Sequence, residues 1–255
     1  MERISVGVVG ALGKMGREVT GAVLGAEDLR LAAAVDVCGG ELGKLKVETD
    51  LEKTLEEKKP QVVIDFTRPQ DVFANAKLII AHGSRPVIGT TGLDPEQIAQ
   101  LDDLARRKEI GGLIAPNFAI GAVLMMEFAK IAGRHFPSAE IIELHHDKKL
   151  DAPSGTAIKT AEMIVEGRQK PAVSGASEVE KIEGVRGGEL AGVHIHSVRM
   201  PGFVASQEVI FGLPGQTLTI RHDSNDRASF MPGVLLAVRK VLSVQGIVYG
   251  LEHFL

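Results

Sequence analysis

The 255-residue sequence predicts an α/β protein: a parallel sheet flanked by helices, followed by a smaller α+β region with a mixed sheet. Short β-branched runs alternate with longer amphipathic segments through the first half, which is typical of βαβ units. Near residue 139 the pattern changes, and strand-like runs follow one another across short turns. Because 44% of the residues are hydrophobic, the chain is able to bury a sizeable core.

In the first half, each apolar run is bounded by turn residues, and segments of helical period lie between the runs. The predicted strands are ISVGVV, LAAAVDV, QVVIDF and PVIG. Predicted helices begin after Lys14 and cover PQDVFANAKLIIAH and DPEQIAQLDDLARRKE. In the last of these, Asp94 is the expected N-cap and Pro95 the first helical residue, a position where proline loses no hydrogen bond.

In the second half, EIIELHH predicts a strand and SGTAIKTAEMIVEGRQ a helix. The Gly-rich polar stretch 167–192 gives no clear prediction. VHIHSVRM, SQEVIFG and QTLTIRHDS predict strands of an antiparallel or mixed sheet. The apolar segment FMPGVLLAVRKVLSV predicts a helix that packs back on the first domain, since it needs a large surface to cover it.

Composition excludes several classes of function. The net charge is −4 with scattered Lys and Arg, and the chain has no tryptophan and one tyrosine, which argues against a nucleic-acid interface. No apolar run approaches the roughly 18 residues of a membrane span, and the N-terminus does not continue as a signal peptide does. A single cysteine, Cys38, permits no internal disulfide and too few thiols for a cysteine metal site. We expect a cytoplasmic protein that binds neither nucleic acid nor membrane.

A glycine loop follows the first predicted strand. Gly10, Gly13 and Gly16 have the spacing G-x-x-G-x-x-G, and Asp36 ends the second strand. Such glycines permit a tight turn and close approach of a pyrophosphate to the amides at a helix N-terminus. An acid at the end of the second strand is placed to bind an adenosine ribose. An ordinary turn is the alternative, but the position at the start of a βαβ pattern favours a Rossmann-like dinucleotide site.

The residue after the acid bears on which dinucleotide binds. Val37 stands where an arginine would contact a 2′-phosphate, and the Asp36 carboxylate would repel one, so the sequence favours NADH over NADPH. Other cations that are able to serve a 2′-phosphate are Lys14, Arg17, Lys44 and Arg68.

Two more short motifs, GTTG at residues 89–92 and APNF at residues 115–118, follow apolar runs. In an open parallel sheet these strand ends face the ligand crevice. For either motif alone, an ordinary turn is the better explanation.

The segment ELHHDKKLDAPSGTA, residues 143–157, gathers proton-active and cationic groups. Adjacent histidines point to opposite sides of a strand, which is poor spacing for zinc, so we predict no metal site. A histidine suits proton transfer, and a nearby lysine anchors carboxylates. Ser154-Gly155-Thr156 opens a helix and offers hydroxyls and amides to an anion. A capped surface turn explains any one residue, whereas the whole set predicts a pocket in which a small anionic substrate is reduced.

Taken together, these motifs resemble the 4-hydroxy-tetrahydrodipicolinate reductase family, also called dihydrodipicolinate reductase. The resemblance runs through nearly the whole chain, and the pattern HHxxKxDAPSGTA is its most specific part. The other matching segments are VGVVGALGKMG, DFTRP, GTTG, APNFAIGA and HSVRMPGFVASQEVIFG.

The resemblance implies a Rossmann-like dinucleotide-binding domain at residues 1–116 and 227–255. It implies a substrate-binding domain at residues 117–226, through which a homotetramer assembles. The implied reaction belongs to diaminopimelate and lysine biosynthesis. Hydride passes from the nicotinamide of NADH or NADPH to ring C4 of the dihydropyridine dicarboxylate formed on loss of water, giving tetrahydrodipicolinate.

The resemblance also assigns residues. His145 is the implied general acid, and Lys149 the assisting donor and carboxylate ligand. The residues implied to hold the substrate carboxylates are His146, Ser154, Gly155 and Thr156. The residues implied to line the cofactor are Gly10, Gly13, Lys14, Met15, Gly16, Asp36, Thr67, Gly89, Thr91, Ala115, Asn117 and Phe118. Some family members carry arginine where this chain has Val37, a departure that bears on cofactor preference.

Two other classes of function stay open at this point. One is another NAD(P)-dependent oxidoreductase of similar plan, such as an amino-acid or sugar dehydrogenase. The other is a nucleotide-sensing regulatory protein that has lost catalysis, although a sensor has no need of His145 and Lys149.

Overall fold

The computed structural model describes residues 3–43, 45–168 and 179–255. Lys44 and residues 169–178 of the Gly-rich stretch lie outside the described residues. Strands are numbered along the chain: β1 (Ile4–Val9), β2 (Leu29–Val35), β3 (Gly40–Leu42), β4 (Leu45–Val47), β5 (Val62–Asp65), β6 (Arg85–Ile88), β7 (Gly111–Ile114), β8 (Ser138–His145), β9 (Gly188–Leu190), β10 (Val193–Arg199), β11 (Ala205–Leu213), β12 (Gln216–Ser224) and β13 (Gly246–Tyr249).

The helices are numbered in the same way: α1 (Lys14–Gly25), α2 (Leu51–Lys58), α3 (Val72–Ala81), α4 (Pro95–Arg107), α5 (Ile120–Gly133), α6 (Gly155–Gly167) and α7 (Met231–Lys240). Short 3-10 helices cover Arg227–Phe230, Val241–Ser243 and Leu251–Phe254. No helix in the described part of the chain is both long enough and apolar enough to cross a membrane.

The chain forms two compact units. The first comprises Met1–Ala119 and Phe230–Leu255, and the second comprises Ile120–Ser229. A six-stranded sheet with strand order β13-β7-β6-β5-β1-β2 lies in the first unit, and a five-stranded sheet with order β12-β11-β8-β10-β9 lies in the second. The predicted fold class is therefore confirmed.

All strands of the six-stranded sheet are parallel. Their side chains form a buried core in which Val6, Ile64, Ile88 and Leu113 are fully covered. A hydrophobic cluster joins α3 and α4 to this sheet. Because parallel strands run in one direction, their carboxyl ends lie along one edge, where loops are free to carry a ligand site.

The predicted start of α4 is confirmed. The Asp94 carboxylate accepts a hydrogen bond from the amide of Gln97 at 2.7 Å, and the Gln97 side chain accepts one from the amide of Asp94 at 3.1 Å. Pro95 is the first helical residue. This reciprocal cap satisfies two amides that the helix itself leaves unpaired.

Several elements of the first unit were not predicted. The hairpin of β3 and β4 has strands of only three residues, too short to show alternation. Helix α2 and strand β13 were missed, and β13 is a four-residue strand at the end of the chain. The helix predicted over residues 230–244 is present as α7, which ends at Lys240 and is followed at once by a 3-10 turn over Val241–Ser243.

The sheet of the second unit is mixed. Strand β8 pairs in parallel with β10 and antiparallel with β11, and the remaining pairs are antiparallel. Helices α5 and α6 pack against this sheet. Ile141, Val209 and Phe211 point to one face and are fully buried, whereas alternate residues such as Ile142 and Ile210 are only half-buried. One face of the sheet thus holds the core of the unit.

Candidate active site

The glycine loop lies between β1 and α1 in the first unit. Gly10 has φ +78°, a backbone conformation that favours glycine, and a Cβ there would collide with the carbonyl oxygen of Phe66. A Cβ on Gly16 would collide with the carbonyl oxygen of Gly10. Gly13 is the exposed N-cap of α1 and offers no side-chain acceptor. Two glycines are therefore needed for the turn itself, and the third leaves the helix N-terminus open, with Lys14 and Met15 in its first turn.

Asp36 lies beside this loop, at the end of β2. One carboxylate oxygen accepts a hydrogen bond from the amide of Leu12 at 2.9 Å, and the other accepts one from the amide of Cys38 at 3.2 Å. Asp36 thereby joins the end of β2 to the glycine loop. A cleft of about 430 Å³ opens here, lined by Gly10, Gly13, Val35, Asp36, Val37, Phe66, Thr67 and Arg68, among others.

A buried carboxylate fixes the next loop of the same edge. Asp65 is fully buried and accepts hydrogen bonds from the hydroxyls of Thr67 and Thr90, at 2.7 and 2.9 Å, and from the Asn75 amide at 2.9 Å. The Thr67 backbone amide donates to Asp65 as well, at 3.0 Å. Burial raises the pKa of Asp65, and these hydrogen bonds oppose that effect. The network holds Thr67 at the cleft and ties it to the GTTG loop.

The remaining residues predicted to line the cofactor lie on the loops after β6 and β7. Gly89 faces the ring of Phe66, where a Cβ would collide, and Thr91 is exposed. The Asn117 side chain accepts a hydrogen bond from the Ala119 amide at 2.8 Å. Ala115 is 1% and Phe118 2% exposed, so their side chains are core groups and only their backbone is available for a ligand contact.

The four cations weighed for a 2′-phosphate differ in their surroundings. Lys14 is exposed, while the Nε of Arg17 donates to the Leu12 carbonyl at 3.0 Å. Arg68 pairs with Asp71 at 2.9 Å. Lys44 lies outside the described residues. Val37 lines the cleft and is 78% exposed, so the position after Asp36 is open to solvent.

In the second unit, three side chains form what we call the inner cluster: Glu143, His145 and Arg199. Glu143 is 0% exposed, although it is an acid in the middle of a strand. The Arg199 guanidinium donates to both of its carboxylate oxygens, at 2.7 and 2.9 Å, and the Nδ1 atom of His145 hydrogen-bonds to one of them. The arrangement follows from the register, since Arg199 of β10 lies opposite His145 of β8.

The electrostatics of the inner cluster favour an ionised Glu143. Burial by itself would raise the pKa of the Glu143 carboxyl, but hydrogen bonds from His145, Arg199 and Ser197 outweigh it and lower the pKa from 4.5 to about 2. A buried charge is tolerated only when it is paired and hydrogen-bonded in this way. Glu143 is therefore an acceptor for both of its neighbours.

Lys149 and Asp151 lie on the loop after β8. The ammonium of Lys149 contacts both oxygens of Asp151 at 2.7 Å, and this ion pair lowers the pKa of Asp151. The carbonyl oxygen of Asp151 accepts a hydrogen bond from Arg199 at 2.7 Å. The same guanidinium thus holds Glu143 and the loop that carries Lys149.

The residues predicted to hold substrate carboxylates lie at the start of α6 and at the end of β8. Ser154 is the N-cap of α6, and its hydroxyl accepts a hydrogen bond from the Ala157 amide at 3.2 Å. A Cβ on Gly155 would meet nothing within 4 Å, so this glycine leaves the helix start uncovered. Thr156 follows it in the first turn. The Nδ1 atom of His146 is buried and has no hydrogen-bond partner within the described ranges.

A second group of the same residue types, the outer cluster, consists of Glu140, Arg186 and His196. His196 contacts the Glu140 carboxylate at 2.9 Å, and Arg186 contacts its other oxygen. Glu140 and Glu143 are three positions apart on β8, so their side chains point to opposite faces of the sheet.

Sequence reasoning missed Glu143, Arg199 and Asp151 as parts of this site. Glu143 was visible as an acid inside a predicted strand, a position where burial demands a partner. The sequence indicates no role for Asp151, whereas the structure pairs it with Lys149. Among the described residues, no three His, Cys, Asp or Glu side chains are grouped in a way that would hold a metal ion.

The chain was compared with known protein families and relatives. Residues 4–118 match the family described as "Dihydrodipicolinate reductase, N-terminus", and residues 121–255 match "Dihydrodipicolinate reductase, C-terminus". It is 54% identical to the 4-hydroxy-tetrahydrodipicolinate reductase of Listeria innocua, over 99% of this chain and 100% of the relative. It is 53% identical to that of Desulfitobacterium hafniense, over 100% of both chains.

Solved structures give the same picture. The dipicolinate-bound dihydrodipicolinate reductase from Paenisporosarcina sp. TG-14 superposes with a TM-score of 0.92 at 44% identity, covering 99% of this chain and 100% of that one. An amine dehydrogenase from Mycobacterium smegmatis superposes with a TM-score of 0.66 at 15% identity, covering 96% of this chain and 94% of that one. The second similarity extends to the fold alone.

Proposed function

We propose a function from the premise that this chain belongs to the dihydrodipicolinate reductase family. It is an oxidoreductase that uses a pyridine nucleotide to reduce 4-hydroxy-tetrahydrodipicolinate in diaminopimelate and lysine biosynthesis. The observation that carries this conclusion is the match from end to end, with the segment HHxxKxDAPSGTA intact. We take the substrate to be the dehydrated, dihydropyridine form of the dicarboxylate.

We assign cofactor binding to the glycine-loop edge of the first unit. The uncovered N-terminus of α1 suits a pyrophosphate, and Asp36 is fixed beside the cleft as a ribose acceptor. The cleft and the glycine contacts thus fit a dinucleotide, whose nicotinamide supplies hydride to ring C4 when bound. The chain's part is to hold that dinucleotide through the residues proposed to line it.

We favour NADH over NADPH. The support is the exposed Val37 next to the Asp36 carboxylate, which would repel a 2′-phosphate. Arg68, a candidate cation at the cleft, is already paired with Asp71. Lys14 and Arg17 remain able to favour NADPH.

In the second unit we assign proton donation to ring Nε2 of His145, with Lys149 as a second donor and carboxylate ligand. His146, Ser154, Gly155 and Thr156 are proposed to bind the substrate carboxylates. The support is the uncovered start of α6, where backbone amides are available to an anion, and the unpartnered His146 Nδ1 among the described residues. A proton given in the transition state suits the histidine that a carboxylate holds in place.

We also propose that the second units assemble the protein into a homotetramer. The support is the sheet face with half-buried apolar side chains, which include Ile142, Leu144 and Ile210. Such a face is commonly covered by a partner. The cytoplasmic location expected from the sequence remains a prediction.

One assay tests the function. Pyruvate and aspartate semialdehyde are condensed by the preceding synthase, and oxidation of NADH or NADPH is followed after this protein is added. We expect oxidation with at least one cofactor. No oxidation with either would overturn the proposed activity and leave the two alternatives, a dehydrogenase with another substrate and a regulatory protein.

The role of His145 is tested by His145→Gln. We expect kcat to fall about 10²- to 10⁴-fold, because a general acid acts in the chemical step, while the Kd for NADH changes less than about threefold. Fluorescence titration of NADH gives the second value. Equal losses in kcat and in NADH affinity would mark a structural histidine.

Cofactor preference is tested by Val37→Arg. We expect the ratio of kcat/KM values to shift roughly tenfold towards NADPH, about the effect of one charge-assisted contact to a 2′-phosphate. Val37→Gln, which adds length without charge, is the matched control. An unchanged ratio would show that another cation already serves the phosphate.

A further inference from the structure

Glu143 is a buried acid to which the proposed reaction gives no task. Its side chain is 0% exposed and lies on β8, two residues before the proposed proton donor. Acids are rarely buried in full without a partner, because removal from water costs several kcal/mol. A hydrophobic residue would fill a core position of this strand at lower cost, so the presence of a charge points to a positioning role.

The contact with His145 determines which ring nitrogen is free. An ionised carboxylate only accepts hydrogen bonds, so the Nδ1 atom that contacts Glu143 carries a proton. The second ring nitrogen, Nε2, is then the atom that exchanges a proton with a ligand: it donates one when the ring is a doubly protonated imidazolium, whose charge Glu143 offsets, and is left as the neutral acceptor afterwards. A partner on one nitrogen commonly fixes both the tautomer and the orientation of an imidazole.

Arg199 extends this restraint to the second proposed donor. Its two contacts with Glu143, at 2.7 and 2.9 Å, form a planar fork that permits one orientation of the carboxylate. It also donates to the carbonyl oxygen of Asp151 at 2.7 Å, and Asp151 holds Lys149 at 2.7 Å. The Arg199 guanidinium therefore links the group that holds His145, the Glu143 carboxylate, to the residue that holds Lys149, Asp151.

We propose that Glu143 and Arg199 are positioning residues, which hold the His145 ring and the Lys149 loop in the arrangement that delivers a proton to the substrate. This inference rests on the proposed function. Neither residue donates the proton itself, and each acts through a neighbour.

The test compares Glu143→Gln with wild type in the coupled assay, using the full chain. We expect kcat to fall about 100-fold, with KM and the Kd for NADH within about threefold of wild type. In a His145→Gln background, we expect Glu143→Gln to cause no further loss of kcat, because residues that act as a unit are not additive. A purely structural role would give the same loss in both backgrounds and would overturn the inference.

Two further measurements test the inference even if Glu143→Gln folds poorly. The double variant Glu143→Gln/Arg199→Met removes the unpaired charge and is expected to show the same loss of kcat. Independently, ¹⁵N NMR of histidine-labelled wild type is expected to show His145 protonated at Nδ1, and a neutral ring protonated only at Nε2 would overturn the inference.

Glu140→Gln is the matched control, since Glu140 lies on β8 as Glu143 does and also binds an arginine and a histidine, but points to the other face. In a variant that keeps the wild-type oligomeric state, kcat should stay within about twofold of wild type, because Glu140 binds Arg186 and His196 and not the proposed proton donors. An active wild type whose kcat is insensitive to Glu143→Gln overturns this inference alone. An inactive wild type overturns the proposed function and this inference with it.

Discussion

Two clusters with the same three residue types lie on opposite faces of one strand. The inner cluster joins Glu143, His145 and Arg199, and the outer cluster joins Glu140, Arg186 and His196. The glutamate side chains are 0% and 37% exposed. Since the chemical groups are matched, the difference between the clusters isolates what burial does to an ion pair.

In the outer cluster of a single chain, water competes with each contact. Burial acts to raise the pKa of Glu140, and Arg186 and His196 outweigh it and lower the pKa. The direction is the same as for Glu143, yet solvent screening leaves an exposed pair little net effect on stability. In the inner cluster the pair holds a fixed geometry, because leaving either member alone is costly. Burial therefore converts a weak surface contact into a structural restraint.

The largest expected difference between the clusters is in the loss of stability when the glutamate of each is replaced by alanine. Glu143→Ala should lower the free energy of unfolding by about 3–5 kcal/mol, because it leaves Arg199, whose side chain is only 19% exposed, without its counter-ion. Glu140→Ala should lower it by about 0–1 kcal/mol. Urea unfolding of both variants measures the two values. Equal losses would mean that the clusters do not differ in the way proposed.

The next largest difference between the clusters should be in how the free energy of unfolding depends on pH in the acid range. The folded pKa of Glu143 is about 2, below its ordinary 4.5, so its stabilising contribution is present above the ordinary value and is lost as pH falls towards the folded one. The contribution is on the order of 3 kcal/mol. Between about pH 5 and about pH 2, Glu143→Gln should therefore flatten the decline of unfolding free energy, whereas Glu140→Gln should leave it nearly as steep. A wild-type slope in Glu143→Gln would contradict the assignment.

The smallest effect should come from replacing each arginine by lysine. Arg199→Lys keeps the charge but loses the fork that spans both Glu143 oxygens, and we expect a loss of about 2 kcal/mol in unfolding free energy. Arg186→Lys should cost less than about 0.5 kcal/mol at its half-exposed site. Thermal unfolding of both variants checks the contrast. If Arg199→Lys left the unfolding free energy unchanged, the positive charge alone, without the geometry of the guanidinium, would be sufficient to hold Glu143.

Local signals in the sequence were sufficient for part of the fold. The start of α4 was predicted because its capping residues lie within one turn of one another, so the physics is contained in a few positions. The alternating runs gave four strands of the six-stranded sheet (β1, β2, β5 and β6) and four of the five-stranded sheet (β8, β10, β11 and β12). By contrast, β3 and β4 form three-residue strands, and such short runs show no period from which to predict them.

The site shows a similar division. The segment around His145 was identified because its proton-active residues are neighbours in sequence. Arg199 lies 56 residues from Glu143, and only the pairing of β10 with β8 brings them together. Sequence periodicity predicts strands but not which strand lies beside which, so the sequence did not show that Arg199 holds the Glu143 carboxylate.

Strand β13 has a consequence for the order of folding. It completes the first sheet beside β7, yet the whole second unit lies between those two strands in the chain. During synthesis, the edge of β7 stays unpaired until β13 is made. The second unit, which is continuous in sequence, is made in the meantime and is able to fold first. An exposed edge is a template for pairing with other chains. Domains usually fold in the order in which they leave the ribosome; here the unit that starts first is finished last.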